Sequence, residues 1–131
     1  MTYTTLKKAS FAILAALAMT TTLAPASAMA TDVQTANFVV KSTTDGRIKL
    51  AVKAFKKGDF EKSVRMSKSA LTGGLSSRKE AVAYSNLCAA YANLGRMEDA
   101  QSACDTALEL REHYAPAIVN KASLIIRLAQ K

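Results

Sequence analysis

From Tyr84 to Leu108 the apolar positions form two stripes. Tyr84, Leu87, Cys88, Tyr91 and Leu94 recur at three- and four-residue spacing, as do Met97, Ala100, Cys104, Ala107 and Leu108. That spacing lines one face of a helix. Gly95 separates the stripes, and glycine takes the left-handed conformation that ends helices. The reading is a helical hairpin with its corner at Gly95. Gly58 marks the same corner in an earlier hairpin, residues 48–71. TGGLSSRKE lies between the two, with Gly73-Gly74 as a stop and Ser77 and Glu80 spaced for a capping box. Pro116 suits the first turn of a fifth helix that runs to the end of the chain.

With Gly58 aligned on Gly95, Ala51 meets Cys88, Phe60 meets Met97, Ser63 meets Ala100, Ala70 meets Ala107 and Leu71 meets Leu108. A recurrence of this length signals stacked supersecondary units. On Tyr84, Leu87, Tyr91, Gly95, Ala100, Ala107 and Leu108, and more loosely on Leu50, Ala51, Gly58, Phe60, Ala70 and Leu71, the chain resembles the tetratricopeptide repeat family. The resemblance covers about residues 44 to 131. It implies an all-α fold of antiparallel hairpins, a short solenoid of five helices and about two and a half units: 44–77, 81–114 and a single capping helix at 115–131. Small residues at Ala51, Ser63, Cys88 and Ala100 would let paired helices approach closely.

In the last helix Ile118, Ala122, Ile125 and Ala129 share one face, which is expected to pack on the preceding hairpin. Lys121 stands where Leu87 sits one unit earlier, as in a terminal cap with a polar outer face. Leu124 and Leu128 fall on the open flank. They stand there either as ordinary surface or as a docking place for a second copy in a homodimer, a partner helix, or residues 32–43. VQTANFVVK, within the 31–43 extension, is apolar enough to fold back but too short to classify.

The first thirty residues change the picture. Lys7 and Lys8 precede nine apolar residues, Phe11 to Met19, and Pro25 is followed by Ala-x-Ala sites. These are the marks of a secretory signal peptide, and the run is too short to span a membrane. The expectation is export to the periplasm or medium, with cleavage near Ala30 and Ala28 as the second choice. What remains is one small domain.

Charge is uneven. Residues 41–79 hold eleven basic side chains against Asp45, Asp59 and Glu61, whereas residues 80–131 are close to balanced. Such a basic half suits either a solvated helix face or an anionic surface, including peripheral contact with a membrane. Export argues against nucleic acid.

No catalytic set can be named, so the chain reads as non-enzymatic, without cofactor or metal. His113 is the single histidine and stands in a loop with no ligand-spaced neighbour. Cys88 and Cys104 both point to the buried side of one hairpin. An exported chain can oxidise them, but with the hairpin turning near Gly95, Cys88 is expected level with about Ala100 and Cys104 about 6 Å further along the axis at ~1.5 Å per residue. A disulfide and a pair of small buried thiols both remain open at this point.

The resemblance further implies a concave groove made by the first helix of each unit. Here that side carries Lys49, Val52, Lys56, Ser85, Asn86, Ala89, Asn93, Asn120 and Arg127, along with Ser123. An asparagine amide can both donate to and accept from a peptide backbone. Chaperone-binding members hold a terminal carboxylate with five polar residues. Of those slots only Asn86 matches; the others hold Ile48, Val52, Pro116 and Asn120, so that activity is not expected. The function implied is a non-catalytic protein-protein interaction module or scaffold in the cell envelope, taking a peptide or helix in its groove. The alternative is a basic peripheral protein that binds anionic membrane or wall polymer through residues 41–79.

Overall fold

Two glycine corners set the path of the chain in the computed structural model, which describes residues 36–131. The signal peptide and its cleavage site lie outside the described residues. The described part belongs to one structural unit, residues 33–131. It is all-α: α1 (Gly46–Lys56), α2 (Phe60–Leu71), α3 (Ser77–Asn93), α4 (Met97–Leu110) and α5 (Ala115–Ala129). Among the described residues there is no strand, and no helix is long and apolar enough to cross a membrane.

Gly58 and Gly95 have φ of +77° and +76°, which a side chain would strain. Both close the same motif. Asp59 N–H donates to the Ala54 carbonyl and Gly58 N–H to that of Phe55. Arg96 N–H donates to Tyr91 and Gly95 N–H to Ala92. These paired bonds satisfy carbonyls that a helix end would leave open. The chain then reverses, so α2 packs on α1 and α4 on α3, and the first, third and fifth helices also meet in sequence.

The starts of the helices differ. Asp45 caps α1 by accepting from the N–H groups of Arg47 and Ile48, and Asp59 caps α2 by accepting from Lys62. The expected capping box at Ser77 and Glu80 does not form. The N-cap of α3 is Ser76, one residue earlier, and it makes no side-chain cap bond. Its carbonyl already takes the N–H groups of Lys79 and Glu80, which closes the first turn without help from Glu80. Nor does any side chain cap α5.

α3 is the centre of the core and is buried almost all round from Ala81 to Ala92. Ala51, Ser63, Cys88 and Ala100 are fully buried where helices cross. One apolar cluster gathers Val64, Leu87, Tyr91, Ala100 and Leu124, and a second gathers Ile48, Ala70, Val82, Ala107 and Tyr114. Cys88 and Cys104 are joined, with Cα atoms 5.2 Å apart, inside the range a disulfide needs. The corner centres on Gly95, between the end of α3 at Asn93 and the start of α4 at Met97. Cys104 therefore falls within ~3 Å of level with Cys88 at ~1.5 Å per residue, closer than the ~6 Å expected.

α5 is rotated from expectation. Its buried face is Ala117, Asn120, Ser123 and Leu124. The stripe expected to pack inward is instead open, with Ile118 48% and Ile125 60% exposed and Ala122 and Ala129 exposed beside them. Leu124, placed on the open flank with Leu128, is only 2% exposed and belongs to the main cluster, so it offers nothing to a homodimer surface. Leu128 does stay exposed. The reason is register. Ile118, Ala122 and Ile125 stand thirty-four residues after Tyr84, Cys88 and Tyr91, positions that α3 turns toward α4. No described helix lies against that side of α5. Lys121 reaches back to α4 and pairs with Asp105 at 2.7 Å.

Candidate functional site: a groove filled by the chain's own strap

Residues 36–45, ahead of α1, form no helix. The chain instead runs as a strap along α3 and α5. Its backbone is held at every second residue. The Ser123 hydroxyl donates to the Asn37 carbonyl at 2.6 Å. The Asn120 side chain accepts from the Val39 N–H at 2.7 Å and donates back to the Val39 carbonyl at 2.8 Å. Asn86 repeats this at Lys41, accepting at 2.9 Å and donating at 2.8 Å. Contacts at residues 37, 39 and 41 are the period-two signature of extended backbone.

Each asparagine thus uses both ends of its amide on one strap residue, the pairing a neighbouring β-strand would supply. The two are held in place differently. Asn120 is fully buried and its amide nitrogen also reaches the Ser85 carbonyl and hydroxyl, at 3.0 and 3.1 Å. The Asn86 amide spends its oxygen and its nitrogen on Lys41 of the strap. A buried amide without its partners costs about 1–3 kcal/mol, so two such residues facing an empty groove would be unfavourable. The strap satisfies them.

Side chains add to the hold. Phe38 packs against the main cluster, and the Arg127 guanidinium lies 4.8 Å over its ring. Arg127 itself is anchored to the Ala92 carbonyl at 2.7 Å. Where the strap begins, Ala36 to Val40, Phe55, Phe60, Lys56 and Asn93 line an open cleft of about 590 Å3. Phe55 and Phe60 meet edge to face with centroids 5.1 Å apart.

Of the residues expected in the groove, Asn86, Asn120 and Arg127 contact the strap directly, and Ser85 acts through Asn120. Lys56 and Asn93 border the cleft, and Asn93 spends its amide on the Ala89 carbonyl one turn back. Val52 and Ala89 are buried as core. Lys49 is exposed and takes no part in the strap's hydrogen bonds. The strap itself was the missing piece. The signal that points to it is Asn86 and Asn120 at a spacing of thirty-four, with Ser123 one turn on from Asn120.

Compared with family models, with curated proteins and with solved structures, the chain has no match in any of the three.

Proposed function

We propose that this protein is a non-catalytic protein-interaction module, a short tetratricopeptide-like solenoid exported to the cell envelope, whose groove takes an extended polypeptide by its backbone. The observation that carries this reading is the paired use of Asn86 and Asn120, each of which both accepts from and donates to a single strap residue. Two backbone-reading amides thirty-four residues apart fit units of tetratricopeptide length. The matching corners at Gly58 and Gly95 and the close-packed small residues support the same reading. Export rests on the first thirty residues, and the Cys88–Cys104 bond suits an oxidising compartment.

Hydrogen bonds to main chain are indifferent to side chains, so a second extended segment can compete for the same places. Selectivity falls to the Phe38 position beneath Arg127. The resident strap is tethered, and a short tether gives it an effective concentration in the millimolar range. A partner must overcome that advantage.

The test uses the substitution Val39→Pro, which removes the N–H that Asn120 accepts, together with a labelled peptide of residues 36–44 added in trans. Binding should appear in the Val39→Pro protein and vanish when Asn86→Ala and Asn120→Ala are added. If those asparagine changes leave peptide binding intact, the groove reading is wrong. Salt separates this reading from the basic-surface alternative, which rests on exposed Lys49, Lys53, Lys56 and Lys57. Electrostatic binding fades as salt screens it, whereas backbone pairing in the groove persists.

A further inference from the structure

At the end of the groove where the strap turns into α1, a second, open pocket of about 600 Å3 lies between three separate segments. Lys41 comes from the strap, Arg78 and Lys79 from the first turn of α3, and Arg111, His113 and Tyr114 from the connection before α5. No acidic side chain lines it. Among the described residues the ion pairs are Arg47–Asp45, Arg96–Asp99 and Lys121–Asp105, so the four fixed cations of this pocket have no carboxylate partner. Like charges gathered without counter-charge repel one another, and an anion would relieve that repulsion.

The backbone points the same way. α3 and α5 both begin at this pocket, both lack a side-chain cap, and neither start has a carboxylate aimed at it from the lining. The positive ends of two helices therefore border a basic cavity, which favours an anion there. Most of their first-turn N–H groups are already taken, Lys79 and Glu80 by the Ser76 carbonyl and Ala117 and Ile118 by that of Tyr114, so the side chains carry the site. α1 and α2 are capped by Asp45 and Asp59, and α4, also without a side-chain cap, carries Glu98 and Asp99 in its first turn; the first-turn carboxylate of α3, Glu80, lies outside the pocket lining. Tyr114 closes the floor. Arg111 stacks 4.9 Å over its ring, and burial pushes the phenol above its ordinary range despite the Arg111 charge, so its hydroxyl remains a donor.

We infer that this pocket is an anion site for a phosphate-bearing ligand larger than a single phosphate, held by Lys41, Arg78, Lys79 and Arg111 against the starts of α3 and α5. Guanidinium groups match phosphate oxygens in pairs, and the volume is that of a small-molecule site. Lys41 joins this site to the strap, since Asn86 holds its backbone. The other three cations come from α3 and the connection before α5, so a test that changes only Lys79 and Arg111 can fail without touching the groove reading, and the reverse.

The test titrates the purified protein with inorganic pyrophosphate by calorimetry at low salt. Saturable binding is expected, weakened at least tenfold by Lys79→Glu with Arg111→Glu. The control, Lys53→Glu with Lys57→Glu on α1, makes the same charge change away from the pocket and should stay within twofold of the parent. Lys53, Lys57 and Arg111 are exposed and Lys79 is half-buried, and unchanged circular dichroism of both variants confirms that they fold. Absence of binding, binding unaffected by the pocket pair, or equal weakening by both pairs would each overturn the proposal. Vesicles containing phosphatidylglycerol assign the source. If they bind through the same residues and pyrophosphate displaces them, the phosphate is a lipid headgroup; if they do not bind while pyrophosphate does, it belongs to a free small molecule.

Discussion

α3 and α5 perform the same task on one side and share nothing on the other. Toward the groove, Asn86 and Asn120 hold Lys41 and Val39 of the strap with the same pair of bonds. Away from it, α3 is covered by α4 and bonded to it through Cys88, whereas α5 shows Ile118 and Ile125 to solvent. The recurring feature of the two helices is the one that meets the extended chain. Their outer faces follow what packs beside them. In α5 this inverts the usual order: the more polar stripe is inside, because it satisfies the main chain of the strap, and the apolar stripe is outside.

That inversion can be probed from its strongest support downward. Removing the disulfide, with Cys88→Ala and Cys104→Ala together, should cost roughly 3 kcal/mol for a loop of this length, read by urea denaturation of oxidised protein. An unchanged midpoint would show that α3 and α4 hold together without it. Next come the two faces of α5. Leu124→Ala should cost about 2–3 kcal/mol as a buried side chain leaves a cavity. Ile125→Ala, one residue on, should change stability by less than about 0.5 kcal/mol. Equal costs would mean that the outer face is covered.

The smallest effect concerns the start of α1, which a carboxylate caps while α3 and α5 begin without one. The Arg47 side-chain hydrogen bond, then the Ile48 and Arg47 N–H groups, hold the Asp45 carboxyl below its ordinary value of 3.8, against a smaller opposing effect of burial. A carboxyl lowered in the folded state adds stability above its ordinary value and loses it as pH falls through 3.8 and below. Asp45→Asn keeps a capping side chain without the charge. Its melting temperature should therefore fall less than the parent's between pH 6 and pH 3. An identical fall would remove Asp45 from the acid response.

Much of the architecture was legible in the sequence. Gly58 and Gly95 announced the corners and Pro116 the start of α5, since glycine stops and proline starts act locally. Asn86 and Asn120 were placed in the groove by the repeat. The strap's path was not legible, because its holds at residues 37, 39 and 41 are to main chain and leave no side-chain pattern to detect. α5 was misjudged for the same reason. Its inward positions are polar because they answer to a backbone elsewhere in the chain, so its hydrophobic period pointed at the wrong face. The bare starts of α3 and α5 were hidden too, since Ser77 and Glu80 have the spacing of a cap that the backbone made unnecessary.

The central claim is that an extended segment of this chain fills the groove by its backbone. Amide hydrogen exchange of Val39 and Lys41 tests it most directly. Both N–H groups should be protected in the parent protein, and Asn120→Ala should release them together while the core helices keep their protection. Exchange of both amides at the rate of an unstructured chain in the parent would contradict the account.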